Sequence, residues 1–215
     1  MSFAIPSQTS DPFSVPSPEI GIPPYPVYRF TVAEYEQLTR AGILTEDSNV
    51  ELLEGWIVPK MPRNPPHDNV IDLINYLLQR LLPLGWFVRI QNSAVTSDSV
   101  PEPDVSVVRG KPGSYPNRHP TGADLGLVIE VADSTVLRDR RKAEIYARAG
   151  VPHYWIVNLE DQQIELYSQP VAIGESLVYQ SPLILRAKDA ILPVLLDGQE
   201  VGKMTVGELL AQSVL

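Results

Sequence analysis

Apolar residues recur along this chain in two rhythms, and each change of rhythm marks a change of element. Val70, Ile71, Ile74, Leu77, Leu78 and Leu81 return every three or four positions, which stacks them on one face of a helix. That stripe predicts a helix over residues 67–82. A shorter helix is expected from Thr31 to about Arg40. Thr31 and Glu34 have the spacing of a capping box, and Gly42 suits the exit. A third should span residues 138–148, ended by Gly150 and kept from resuming by Pro152. A closing helix is expected to start at Thr205, with Glu208 completing a second capping box.

Compact apolar runs between these helices read as strands: residues 56–58, entered through 50–55, then 85–90, 103–108, 125–132 and 154–157. Residues 164–167 alternate and are expected to form a half-buried antiparallel edge. Residues 109–123 form a loop rich in glycine and proline, and short strands follow residue 168. Pro6, Pro12, Pro16, Pro18, Pro23, Pro24 and Pro26 lie among serines, so residues 1–27 are expected to be a disordered or arm-like tail. Residues 28–215 are then one domain with no internal repeat. The order helix, strands, helix, strand predicts an α/β (α+β) fold, a mixed sheet flanked by helices.

Composition narrows the chemistry. An apolar share of 44% supports a packed core. The absence of cysteine excludes disulfides, thiolate zinc sites and cysteine nucleophiles. No apolar run approaches the roughly 18 residues that span a bilayer. The first basic residue is Arg29, so the start lacks the basic region of a secretory signal, and a cytoplasmic protein with no membrane partner is expected. Net charge is −9, which opposes non-specific adhesion to nucleic acid without excluding a nuclease.

Glu130 is the sharpest chemical signal. It interrupts an otherwise apolar strand over 125–132, where an ionised carboxylate is costly unless a cation or strong donors meet it. It shares a strand face with Val128 and Ala132. Asp104 opens a second apolar run. On the following helix Asp139, Lys142 and Tyr146 fall at i, i+3 and i+7, one stripe that can face the strand. Two acids and an ammonium group on adjacent elements suit a magnesium site for phosphodiester hydrolysis. Each residue also has a plainer reading. Glu130 can be salt-bridged to a core arginine, and Lys142 can be solvated. Arg138, Arg140, Arg141, Lys142 and Arg148 can form a phosphate-facing stripe or a solvated helix face. His67 can cap a helix, bind phosphate or do neither; His119 and His153 lack metal-ligand spacing with it. Trp155 is expected in the sheet core.

Several segments together resemble the Uma2 family, also known as domain of unknown function 820, within the PD-(D/E)XK restriction endonuclease-like superfamily. They are Pro103-Asp104, Ile129 to Thr135, Arg138-Asp139, Lys142, Tyr146 and Ala149 to Val157. Upstream agreement includes Thr31 to Tyr35, Ala41 to Leu44, Val50 to Gly55 and His67, so the likeness covers about residues 28–170. The resemblance implies a divalent-metal nuclease. Asp104 matches the first motif acid, Glu130 the second, and Glu51 an acid from an N-terminal helical region. The superfamily lysine normally stands two residues after the second acid, where this chain has Ala132. In the Uma2 pattern it comes from the next helix, which points to Lys142. Asp133 stands where many relatives have serine.

What the resemblance implies is Mg2+ or Mn2+ held by Asp104 and Glu130, with Lys142 positioning the nucleophile or steadying the phosphate. Glu51 assists, and His67, Asp139 and Tyr146 support. DNA is the implied substrate and a homodimer the implied assembly, since two sites can cut two strands. Two other readings stay open: a non-catalytic dimeric module binding nucleic acid or protein, and a glycosidase using paired acids. The buried position of Glu130 and the nearby lysine count against the glycosidase.

Overall fold

In the computed structural model the described residues are 26–210, so the expected tail lies almost wholly outside them, as do residues 211–215. Helix α1 (Val32–Arg40) starts at Thr31, which accepts from the Glu34 backbone while the Glu34 carboxylate accepts from the Thr31 backbone. Strands β1 (Val50–Leu53) and β2 (Trp56–Pro59) form a hairpin. Its two turn residues, Glu54 and Gly55, have φ of 50° and 80°, the left-handed pair that matches strand twist in a two-residue hairpin. Helix α2 (Pro65–Leu81) begins two residues earlier than expected, because Asn64 caps it and Pro65 occupies the first turn.

The chain continues through β3 (Trp86–Ile90), β4 (Val105–Arg109), β5 (Leu125–Ala132), α3 (Val136–Arg148), β6 (His153–Asn158) and β7 (Gln163–Ser168). Then come β8 (Val171–Ile173), β9 (Ser176–Val178), β10 (Leu183–Leu185), β11 (Ile191–Leu196), β12 (Gln199–Thr205) and α4 (Val206–Leu210). Six strands make one mixed sheet in the order β10-β7-β6-β5-β4-β3. Only β5 and β6 are parallel in it. A parallel neighbour requires a crossover, and α3 supplies it. The fold is the expected helix-flanked mixed sheet.

The sheet separates two apolar layers. One holds Val70, Ile71, Ile74 and Leu78 of α2 against Val107, Leu127, Ile129 and Trp155. Fully burying each such side chain contributes about 1.5–3 kcal/mol. The other packs Tyr146 of α3 against Val128, Ala132, Tyr154 and Ile156. The alternation of β5 therefore sends Leu127, Ile129 and Val131 toward α2, and Val128, Glu130 and Ala132 toward α3.

The expectation for residues 164–167 needs correction. Strand β7 is not an edge: β10 pairs along its outer side, with Ile184 opposite Glu165. The polar member of its alternation, Glu165, is buried rather than hydrated, held by Arg140 through Nε and Nη2 and by Gln163 and Tyr167. Period-two polarity here marks a buried carboxylate held by a partly exposed arginine, not a wet face.

Candidate active site

The β5–α3 unit builds the centre of the site. Lys142 Nζ donates to Glu130 Oε1 at 3.0 Å, and the Tyr146 hydroxyl donates to the same oxygen at 3.2 Å. These are the strand face and the helix stripe that periodicity allows to meet, and α3 packs so that they do. Asp104, just before β4, meets β5 through a reciprocal pair of bonds. Its backbone N–H donates to Glu130 Oε2 at 3.3 Å, and its own Oδ2 accepts from the Val131 N–H at 2.9 Å. Neighbouring strands thus lock the two carboxylates to each other.

Glu51 reaches the same place from a different element than expected. It lies on strand β1, opposite Val58 in the hairpin, rather than in a helical region. Its buried carboxylate accepts from the Glu102 N–H at 3.1 Å and from Arg138 Nη2 at 2.8 Å, and Lys142 Nζ lies 3.4 Å away. Asp139 is held by the Thr135 hydroxyl at 2.6 Å, while the Tyr154 hydroxyl donates to the Asp139 carbonyl at 2.8 Å. His67, in the first turn of α2, brings Nε2 to 3.3 Å from Asp104 Oδ2.

All seven predicted residues converge, and six of them line a depression of about 430 Å³; Tyr146 lies beneath it. Seven carboxylates line this pocket against four permanent cations, Lys60, Arg63, Arg138 and Lys142. Burial and neighbouring charge together set the ionisation of its groups. Burial pushes the Glu130 carboxyl well above the ordinary glutamate range; Lys142 opposes this, and Asp104, Asp139 and Glu51 push further up. Burial likewise raises Asp139. Burial also works against the Lys142 charge, but Glu130, Glu51 and Asp139 outweigh it and raise its pKa. For Asp104, burial opposes ionisation, yet His67, the Val131 N–H and Lys142 hold its pKa below the usual range.

Among the described residues, no three His, Asp or Glu side chains form a ready-made metal cluster. The pocket offers instead a locked pair, Asp104 and Glu130, inside surplus negative charge. That donor set fits an ion that takes few protein oxygens and keeps several waters, as magnesium does.

Sequence reasoning missed the connecting residues. Asn64 caps α2 with Oδ1 and reaches Asp133 Oδ2 through Nδ2 at 2.5 Å, which ties the two lips of the pocket together. The Asn-Pro-Pro start of α2 was the available signal for the cap. Lys60 pairs with Glu102 at 2.5 Å. The basic positions of α3 form no single stripe. Arg138 turns to Glu51, Arg140 to Glu165, Lys142 to Glu130, and Arg148 to Glu54. Trp155 packs in the core, as expected.

A solved structure described as a "putative nuclease belonging to DUF820" from Anabaena variabilis ATCC 29413 superposes with a TM-score of 0.61 at 14% identity. It covers 88% of this chain and 100% of its own. At that identity the likeness shows a shared fold. No curated protein matches the sequence. The profile of the Uma2 family, described as "Putative restriction endonuclease", matches residues 32–204 and so takes in every residue of the site. The chain belongs to the Uma2 family.

Proposed function

We propose that this protein is a divalent-metal-dependent endonuclease that hydrolyses DNA phosphodiester bonds at the Asp104–Glu130 pair. The observation that carries the reading is the reciprocal locking of these two carboxylates above a buried lysine, in a pocket where acids outnumber cations. The family description and the name given to the Anabaena protein point the same way. Asp104 and Glu130 would hold Mg2+ or Mn2+. Such an ion would lower the pKa of a bound water, making it easier to deprotonate, and would place a positive charge beside the phosphoryl oxygens.

The chain's own groups do the rest. Lys142 and Tyr146 fix one oxygen of Glu130, leaving the other directed toward Asp104. Glu51 anchors Lys142 from the opposite wall. His67 orients Asp104, and Thr135 holds Asp139 beside Lys142. Incubating supercoiled plasmid with pure protein and each metal tests the reading. Nicking is expected with Mg2+ or Mn2+ and should fall by at least about 100-fold in Asp104→Asn, as for loss of a group central to charge stabilisation. No nicking with any divalent ion, where a control nuclease works, would overturn it.

One observation favours a second reading, a non-catalytic dimeric module binding nucleic acid or protein. Lys142, Tyr146 and the Asp104 N–H already satisfy Glu130 without a metal. A protein that binds DNA or a partner but has no affinity for Mg2+ or Mn2+ would support it. The homodimer expected for cutting two strands is tested separately by sedimentation.

A further inference from the structure

The pocket holds two cations near the acid pair, and they differ in what they are free to do. Lys142 is almost fully buried. Two carboxylate oxygens, from Glu130 and Glu51, take up its ammonium group at 3.0 and 3.4 Å. Moving it toward a ligand would leave the buried Glu130 carboxylate without its cation, which is strongly unfavourable, while Glu51 would keep Arg138. Arg138 stands one helical turn earlier and its side chain keeps 25% of its exposure. Its Nη2 donates to Glu51 Oε1 at 2.8 Å and its Nη1 to the Pro59 carbonyl at 2.7 Å. A guanidinium carries five N–H donors in a rigid fork, so these two bonds leave others to meet a second acceptor.

Glu51 makes Arg138 releasable. If Arg138 swings off, Glu51 still has the Glu102 N–H and Lys142. The Pro59 carbonyl, at the end of the β1–β2 hairpin, meanwhile fixes the plane of the guanidinium at the pocket wall. We infer that Arg138 is the cation that binds a phosphate of the nucleic-acid backbone, while Lys142 remains the fixed counter-ion of Glu130 and Glu51. This deepens the nuclease reading and rests on it for the nature of the ligand. It makes Arg138 a catalytic residue that touches substrate, and Lys142 a positioning residue that acts through the two acids.

The test separates binding from cleavage. A short fluorescent oligothymidylate is titrated with protein at several potassium chloride concentrations and one fixed calcium concentration, and a gel checks that the strand is intact. Arg138→Gln is expected to weaken binding about 10- to 100-fold, the range for a charge-assisted hydrogen bond. It should also lower the slope of log affinity against log salt by about 0.7, one single-strand phosphate contact. Arg138→Lys should keep the slope and lose part of the affinity, because a point charge lacks the fork. Lys142→Met should keep the wild-type slope. Arg141→Gln, exposed on the same helix and outside the pocket, controls for lost helix charge.

Circular dichroism checks that each variant folds, and Arg138→Lys carries the test if Arg138→Gln does not. A wild-type slope in folded Arg138→Gln, a reduced slope in Lys142→Met alone, or no binding by the wild type overturns the inference. Those results would do so even in protein that nicks plasmid. A slope change at Arg138 in protein that nicks nothing would instead overturn the hydrolytic reading alone.

Discussion

At the Asp104 carboxylate, donors arrive from two directions, the Val131 N–H within the sheet and His67 from α2. Burial works against a charge on His67, but the hydrogen bonds and charges of Asp104 and Asp68 outweigh it and raise its pKa above 6.5. A raised histidine contributes stability that is complete below 6.5 and lost as pH climbs through its folded value. The depressed Asp104 contributes stability that is present above the ordinary carboxylate range and lost as pH falls through its folded value. The metal-free protein should therefore gain most from this pair between those two limits. In Asp104→Asn the His67 titration, followed by NMR of the imidazole, is expected to drop to 6.5 or below, since burial then acts with only the weaker help of Asp68 against it. An unchanged titration would show that Asp104 is not its partner. Part of this residue-level network was visible in the sequence. Glu130 stood out as a charge in an apolar strand, and Lys142 shared its helix stripe with Tyr146. The Arg138–Glu51 and Asn64–Asp133 contacts were not visible. They join residues 87 and 69 positions apart, and no local spacing encodes such a pairing.

Between elements, the C-terminal cap of α3 packs closely against Gly122, in the turn just before β5. A Cβ built there would stand 2.0 Å from the carbonyl oxygen of Ala149 and 2.8 Å from its carbonyl carbon. Ala149 caps the C-terminal end of α3, so backbone rather than a flexible side chain would have to move. Gly122→Ala is expected to destabilise the fold by about 1–3 kcal/mol, the usual cost of overpacking. A lowered denaturation midpoint in urea would register it; an unchanged midpoint would mean that this contact does not fix the helix. Because α3 carries Lys142 and Tyr146, the same change should reduce nicking in whatever fraction stays folded. At this scale helices were the most legible elements, since capping boxes at Thr31 and Thr205 and the α2 stripe are local codes. Pairing was less legible. Whether β7 lies at an edge depends on where β10 returns, and its buried Glu165 imitates a hydrated position.

Taken whole, the molecule brings β1, β5, α2, α3 and the segment just before β4 to one depression, although their lining site residues are spread from Glu51 to Lys142. Net charge is −9, and the pocket concentrates that excess rather than opposing it. Any ligand drawn there first is a cation, and a polyanion such as DNA would follow only after local charge is offset. Among the described residues no helix is long and apolar enough to cross a membrane. The central claim, that Asp104 and Glu130 grip a divalent ion, is tested most directly by calorimetric titration of Mn2+ into the wild type, Asp104→Asn and Glu130→Gln. The expected result is one ion per chain in the wild type, with affinity rising as pH increases through the elevated Glu130 range, and no binding in either variant. A wild type that takes up no metal, or variants that bind it as tightly as the wild type, would contradict the claim.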